Sequence, residues 1–375
     1  MRRGRNEGTI GQRKDGLWCA RISMGVDEHG KSIRKAFYGK TRAEVSAKLS
    51  DALSAQNKGA LAIPSRMKLS EWMDTWITDY KAFSVKSSTA TIYSSLIENH
   101  LKPALGDTLL QGLKSEMIQK AIVGMSEKGL SPNSVKVAHA MLRACLEQAM
   151  RNGLIFVNPA KGITLPRREK VEARAFTIEE QEKFIKEAKT RSNGLLFIFG
   201  IGTGLRIGEI LGLRWDDVDL SAESLRVRRT YSVSRTIGKV RKWKREFTSP
   251  KSISSIRSVP LLPELAKRLR QVKEDSDGGE LVFCTKNKTP YDQRNMQRVF
   301  HSICKRAGLE GFHIHSLRHT FATRSLERGM ELKVAQEILG HSSIKMTADM
   351  YMHVMPEKKR ESMMKLSGML GDLEI

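Results

Sequence analysis

Between Leu69 and about Phe156 the apolar residues recur at the three- and four-residue spacing of amphipathic helices. One apolar stripe consists of Leu69, Trp72, Met73, Trp76 and Ile77, and another of Val135, Ala138, Met141, Leu142, Cys145 and Ala149. The pattern is interrupted at Pro103, Gly106, Pro132 and Gly153, which predicts about four helices. We therefore expect residues 66–165 to form a helical domain whose Trp and Met stripes pack in its core.

Linker-like segments flank this region, at residues 59–65 and, with a basic composition, at residues 158–170. Before the first linker, residues 8–38 predict short strands and a three-stranded sheet. Thr41 followed by Glu44 is typical of a capping box and predicts a helix that ends near Asn57. Residues 1–60 carry 13 Lys and Arg against 6 Asp and Glu. A basic sheet of this kind, in a module of residues 1–58, can read DNA with a β-ribbon.

The third region, residues 173–375, is mixed. A capping box at Thr177 and Glu180 predicts a helix, and residues 225–231 and 255–259 predict strands around a basic, turn-rich segment. After Pro263 the pattern is mostly helical. The predicted fold class is a multidomain, mainly α protein. It has a small β-sheet plus helix N-terminal module, a helical domain, and a mixed α+β domain that carries a C-terminal tail.

The chain of 375 residues has 65 Lys and Arg against 41 Asp and Glu, a formal net charge of +24. Such an excess repels itself unless a polyanion such as DNA or RNA offsets it. A membrane surface is the rival partner, but no apolar run is long enough to span a bilayer, and no apolar segment follows the basic N-terminus as in a signal peptide. Four widely spaced cysteines without a CxxC pair disfavour a zinc module and a disulfide framework, and fit a reducing cytosol. Composition thus predicts a cytoplasmic nucleic-acid binder without a membrane partner, and is silent on catalysis.

The glycine-rich segment 202–209 resembles a phosphate loop at first sight, but it lacks the Gly-Lys-Ser/Thr ending of a Walker motif. The alternative is a helix start that presents Arg206. Glu209, three residues later, would lie on the same helical face and could orient the guanidinium. The same segment is also compatible with an ordinary surface arginine at position 206.

Residues 315–319 contain two histidines at positions i and i+4, as in the zinc motif HExxH, but Ser316 occupies the position of the glutamate. His315 and Arg318 could instead bind one phosphate from a shared helix face. Two more candidates follow, His341 in Leu-Gly-His and, ten residues later, Tyr351. Each of these residues by itself also has a plain structural explanation.

These motifs occur in the order Thr-Gly-Leu-Arg206-Ile-Gly-Glu, His315-Ser-Leu-Arg318-His-Thr, Leu-Gly-His341 and Met-Tyr351-Met-His. In this order they resemble the catalytic signature of the tyrosine recombinases, the phage integrase family. The resemblance implies an active site made of Arg206, Lys251, His315, Arg318, His341 and Tyr351, without metal or cofactor. The assignment of Lys251 as the catalytic lysine rests only on its position in a turn. Lys239, Lys242 and Lys244, in the same segment, are alternatives for this role.

The resemblance also implies a function. A recombinase of this kind cleaves and rejoins double-stranded DNA through a 3′-phosphotyrosine, to integrate or excise a mobile element. Residues 66–165 would bind the core site, residues 1–58 the arm sites, and residues 173–375 would catalyse the reaction in a homotetramer. An excisionase and a host DNA-bending protein are further implied partners. A type IB topoisomerase-like enzyme and a non-catalytic DNA-binding regulator on the same fold are the alternatives.

Overall fold

The computed structural model describes residues 8–26, 32–57, 65–167, 174–236, 243–248, 256–276, 278–351 and 363–364. The chain divides into two compact units. One comprises Met1–Glu169 with Arg235–Lys242, and the other comprises Lys170–Ser234 with Trp243–Ile375. The first unit contains two separate hydrophobic clusters, one on each side of the expected linker at residues 59–65. Most of that linker lies outside the described residues, so the division of this unit into two domains stays a prediction.

An antiparallel sheet opens the first unit. Its strands are β1 (Thr9–Gln12), β2 (Trp18–Val26) and β3 (Ser32–Gly39), in the order β1-β2-β3, and the helix α1 (Arg42–Asn57) follows. Apolar side chains of β2 and α1 form the small core between them, namely Ala20, Ile22, Val45, Leu49 and Ala52. The sequence prediction of three strands and a helix is confirmed.

The start of α1 differs in detail from the prediction. Thr41 is the expected cap, since its Oγ1 accepts a hydrogen bond from the backbone N–H of Glu44 at 3.2 Å. The Glu44 carboxylate, however, accepts from the backbone N–H of Lys40 at 3.0 Å. The return hydrogen bond of the capping box is therefore made with Lys40, one residue before the predicted Thr41.

The helical part of the first unit has four helical runs among its described residues, as predicted. They are α2 (Leu69–Thr75) with a π-helical continuation (Trp76–Lys81), α3 (Ser87–Leu96) joined through a π-helical turn (Ile97–Leu101) to α4 (Lys102–Leu105), α5 (Ser115–Glu127) and α6 (Pro132–Arg151), with a 3-10 turn at Leu110–Gly112. Both predicted apolar stripes lie in the core. One interruption was predicted wrongly, because the helix continues through Pro103. The wider π-helical turn directly before Pro103 accommodates its missing N–H.

The second unit is mixed, as predicted. Its helices are α7 (Ile178–Ala188), α8 (Gly194–Thr203), α9 (Ile207–Leu211), α10 (Pro263–Glu274), α11 (Gln293–Arg306), α12 (Ser316–Glu327), α13 (Leu332–Leu339) and α14 (Ile344–Tyr351). Its strands are β4 (Val218–Asp219), β5 (Ser224–Val227), β6 (Thr230–Arg235), β7 (Trp243–Thr248) and β8 (Arg257–Pro260), and a 3-10 turn spans Trp215–Asp217. The sheets have the orders β4-β5-β8 and β6-β7. The capping box at Thr177 and Glu180 is confirmed.

One predicted strand of the second unit is in fact two. The chain leaves the strand at Arg228 and Arg229, between β5 and β6, and both side chains pair with the buried Asp217 at 3.8 and 2.6 Å. The predicted strand at residues 255–259 is β8, although Ser255 lies outside the described residues. Four packing contacts place the motifs side by side: α8 packs on α12, α14 packs on α12 and on α13, and β8 packs on α13. In the described part of the chain, no helix has the length and apolar character needed to cross a membrane.

Candidate active site

Arg206 stands where the chain turns from α8 into α9. Helix α8 ends at Gly204, whose φ of 65° is readily adopted only by glycine, and Arg206 caps α9. The carboxylate of Glu209 accepts the backbone N–H of Arg206 at 2.9 Å and its Nη1 at 3.0 Å. The predicted contact between these two residues is therefore present. The Arg206 side chain is 38% exposed, so it is accessible from solvent.

His315 and Arg318 begin helix α12. His315 is its exposed N-cap residue, whereas Arg318 lies in the first turn and is only 1% exposed. Arg318 donates from Nη1 to the carbonyl of Gly204 at 2.8 Å and from Nη2 to the carbonyl of Leu339 at 2.7 Å. Among the described residues, its buried Nε has no hydrogen-bond partner. Arg318 thus connects α12 to the two loops that carry Arg206 and His341.

His341 follows the end of α13, where Gly340 has a φ of 64°. The buried imidazole shares a hydrogen bond of 2.9 Å between Nδ1 and the Oγ1 of Thr347, a residue of α14. Arg206 reaches the same loop, with 3.4 Å between its Nη2 and the carbonyl oxygen of Gly340. Thr347 precedes Tyr351 by four residues, about one helical turn, so His341 is fixed to the helix that carries the tyrosine.

Burial and nearby positive charge lower the pKa values of the histidines in this site. Burial, followed by the positive charges of Arg318 and Arg206, lowers the pKa of His341 to about 3. Partial burial, followed by the positive charges of the same two arginines, lowers the pKa of His315 to about 4. Burial and Arg206 also lower the pKa of Arg318 to about 9, which leaves it protonated near pH 7. Near pH 7 the site therefore combines two neutral imidazoles with protonated arginines.

Four of the six predicted site residues meet in one place: Arg206, His315, Arg318 and His341. Tyr351 ends α14, which packs on α12 and α13, but its side chain is outside the described part of the structure. Lys251 also lies outside the described residues, as do Lys239 and Lys242. The remaining alternative, Lys244, is exposed on β7 and pairs with Glu246 at 2.6 Å.

Sequence reasoning missed two residues that contact this site. Thr347, the partner of His341, carries no motif that would single it out. Arg257 donates to both carboxylate oxygens of Glu209, at 3.2 and 2.9 Å. A signal for Arg257 did exist, since it is two residues from the buried Val259 in a strand, where alternate residues share a face.

Within the described residues, no three His, Cys, Asp or Glu side chains are grouped so as to hold a metal ion.

Comparisons with known proteins assign the family. The profile of the phage integrase family matches residues 174–358, and that of the phage integrase N-terminal SAM-like domain matches residues 68–126. A tyrosine recombinase XerC-like protein of Caldanaerobacter subterraneus is 34% identical, with 92% of this chain and 94% of the relative covered. The chain belongs to the tyrosine recombinases of the phage integrase family. It is therefore a tyrosine-type site-specific recombinase, as the motifs predicted.

Other relatives and solved structures agree with this fold. The recombinase is 26% identical to the ICEBs1 integrase of Bacillus subtilis, over 95% of this chain and 98% of that one. The Tn1549 transposon integrase in complex with a circular intermediate DNA matches with a TM-score of 0.67 at 23% identity, over 80% of this chain and all of the other. A lambda integrase tetramer bound to a Holliday junction matches with a TM-score of 0.60 at 21% identity, over 93% of this chain and 96% of the other. The multidomain, mainly α fold is thereby established.

Proposed function

We propose that this recombinase cuts and rejoins DNA through a 3′-phosphotyrosine on Tyr351, with Arg206, Lys251, His315, Arg318 and His341 as the other catalytic residues. The observation that carries the proposal is the convergence of three loops far apart in sequence. The side chains of Arg206 and Arg318 bond the carbonyls of Gly204, Leu339 and Gly340, so that the three motifs share one hydrogen-bond network.

The charge of this site suits a phosphodiester. Attack at phosphorus passes through a five-coordinate phosphorane with added negative charge, and guanidinium groups bind such oxygens with planar, permanent charge. Arg206 is exposed enough to contact a phosphate directly. Arg318 is buried, so it contributes positive charge close to the phosphate. The neutral imidazoles of His315 and His341 can donate an N–H to a non-bridging oxygen or accept a proton.

In the proposed cleavage step, the Oη of Tyr351 forms a bond to phosphorus and the bond from phosphorus to the 5′-oxygen breaks. The phenol proton passes to a neighbouring neutral base, and the Lys251 ammonium gives a proton to the departing 5′-oxygen. The products are a 3′-phosphotyrosine and a free 5′-hydroxyl. A 5′-hydroxyl of a partner duplex reverses the step on a new strand. The phosphotyrosine conserves the energy of the broken bond, so the reaction needs no nucleotide cofactor.

The names of the relatives support a role in a mobile element, since several are integrases and one belongs to a transposon. We therefore propose integration and excision as the reaction, with residues 66–165 on core DNA and a homotetramer as the assembly. An excisionase and a host DNA-bending protein complete the proposed partners. The lambda integrase tetramer on a Holliday junction supports the tetramer by analogy of fold.

The N-terminal sheet offers a second surface for DNA. On β2, the exposed Arg21 alternates with Ala20 and Ile22, which face α1, so Arg21 lies on the face of the sheet away from α1. Arg34 and Tyr38 of β3 are exposed, and the Arg13 guanidinium lies 5.4 Å from the ring centroid of Tyr38. A sheet face that presents arginines beside small residues can enter a major groove. This arrangement supports the assignment of residues 1–58 to arm sites.

The test is covalent trapping on a nicked suicide duplex with a randomised centre, followed by sequencing of the attached DNA. We expect a protein–DNA adduct that Tyr351→Phe does not form, although it still binds the enriched core sequence. A wild-type level of adduct in Tyr351→Phe would refute the assignment of the nucleophile. Plasmid relaxation without sequence preference would favour a topoisomerase, and the absence of any adduct would favour a DNA-binding regulator.

A further inference from the structure

Arg257 is a buried arginine beside the candidate active site. It lies at the start of β8, its side chain is 6% exposed, and it meets the buried Glu209 through two hydrogen bonds, from Nη1 at 3.2 Å and from Nη2 at 2.9 Å. Its third donor, Nε, bonds the carbonyl of Ile338 at 2.5 Å. Arg257 therefore contacts both the carboxylate that holds Arg206 and the end of α13, three residues before His341.

The charges explain what this contact does. Glu209 is a single anion, 3% exposed, placed between the guanidinium groups of Arg206 and Arg257. Burial acts to raise the pKa of Glu209, but hydrogen bonds and positive charge from Arg257 and Arg206 outweigh it and hold the pKa below its ordinary value. Glu209 thus stays ionised near neutral pH. Without Arg257, this buried anion would have Arg206 as its nearest counter-ion, and the two would neutralise each other.

The geometry points to Arg257 as a positioning residue for the recombination reaction: by neutralising Glu209 and fixing the end of α13, it leaves the charge of Arg206 free for the scissile phosphate. This inference rests on the proposed function, because it assumes that Arg206 binds that phosphate. Its hydrogen bonds to Glu209 and Ile338 link Arg257 to the carboxylate that holds Arg206 and to the end of α13. Its effect on the reaction passes through Arg206, by way of Glu209 and of the Gly340 carbonyl that Arg206 contacts.

A neutral substrate tests this division of roles. The enriched core duplex is made with a methylphosphonate at the scissile position, which lacks the charge that Arg206 is proposed to balance. On the ordinary phosphodiester, we expect Arg257→Met and Arg206→Ala to cleave roughly tenfold to a hundredfold more slowly than wild type. On the methylphosphonate, both variants should recover towards the wild-type rate. The ratio of the two rates in one preparation does not depend on the fraction of folded protein.

Arg324→Met is the matched control, since Arg324 is likewise paired with a carboxylate, that of Glu327, and bonded to a backbone carbonyl, that of Phe176. Its loss should leave the ratio of the two rates as in wild type. The double variant Arg206→Ala, Arg257→Met should cleave the phosphodiester no more slowly than Arg206→Ala alone. If Arg257→Met does not fold, Arg257→Gln serves instead, because its amide can still donate hydrogen bonds but carries no charge to neutralise Glu209.

The outcomes separate this inference from the proposed function. Suppose that the wild type forms the Tyr351 adduct and that Arg206→Ala recovers on the methylphosphonate. If Arg257→Met is then slowed equally on both substrates, Arg257 has only a structural role, and the inference fails while the proposed function stands. Additive losses in the double variant overturn it as well. If the wild type forms no adduct at Tyr351, the proposed function fails first and takes the inference with it.

Discussion

Gly204 gives a prediction whose size follows from the structure. It ends α8 with a φ of 65°, and its carbonyl accepts a hydrogen bond from Arg318. A Cβ at this position would lie 2.4 Å from Cδ1 of Phe321 and 2.9 Å from Cδ2 of Leu339. The backbone strain of Gly204→Ala costs about 1–2 kcal/mol. The crowding costs about 1–3 kcal/mol more. We expect the free energy of unfolding of the second unit to fall by about 2–5 kcal/mol.

Gly308→Ala is a matched control in the same unit. Gly308 has a φ of 69°, but a Cβ there would meet no heavy atom within 4 Å. Its substitution should therefore cost only the backbone strain, about 1–2 kcal/mol. Urea unfolding of the full chain, followed by hydrogen-exchange mass spectrometry of peptides from α8 and α12, measures both values. Equal losses for the two variants would refute the argument, because they would mean that the side chains around Gly204 yield without cost.

Four further predictions concern pH, the general acid, metal ions and the N-terminal module. Burial, followed by neighbouring positive groups, lowers the pKa of His341 to about 3 and of His319 to about 4, from an ordinary 6.5. The unfolded chain therefore binds protons that the folded chain does not, so the free energy of unfolding should fall as the pH decreases from about 6.5 towards 4. We expect a loss of about 2 kcal/mol per histidine at pH 5, measured by urea unfolding, and urea midpoints that do not change with pH would contradict this. Lys251→Ala should cleave slowly and recover on a 5′-bridging phosphorothiolate, whose sulfur leaves without a proton, while Lys244→Ala should behave as wild type; the reverse would transfer the role to Lys244. Cleavage should persist in excess chelator, and rescue of a chelated sample by a divalent ion would overturn the metal-free mechanism. A chain that begins at Ser65 should still form the adduct on core DNA but lose affinity and salt dependence on full-length sites; unchanged binding there would mean that residues 1–58 do not contact DNA.

The sequence was sufficient for those features that repeat locally. Apolar periodicity gave the four helical runs between Leu69 and Arg151, and the cap at Thr177 marked the start of α7. Pro103 escaped this reasoning because a π-helical turn, which depends on the backbone over several residues, absorbs the missing N–H. The strand break at Arg228 and Arg229 was missed because its cause, the buried Asp217, lies outside the strand itself.

The candidate site was predictable only as a set of motifs. Arg206 and Glu209 are three residues apart in sequence, so helical spacing predicts their contact. The contacts of Arg318 with Gly204 and Leu339, by contrast, span 114 and 21 residues, and no local pattern predicts which carbonyls a buried arginine will reach. Arg257 is the intermediate case. Strand alternation predicts that it faces inward, but its partner Glu209 is 48 residues away.

Arg318 and Arg206 differ in burial, and this difference determines how the effect of replacing each of them is interpreted. Arg318 holds the carbonyls of two loops and is 1% exposed, so any substitution removes a charge and also the bonds that fix Arg206 and His341 in place. Breaking a buried, bonded charge in this way is strongly destabilising. Arg206 is 38% exposed, and its backbone bond to Glu209 would survive replacement of the side chain. A loss of cleavage in Arg206→Ala at unchanged stability therefore reports on phosphate binding, whereas the same loss in Arg318→Ala cannot distinguish chemistry from collapse of the site.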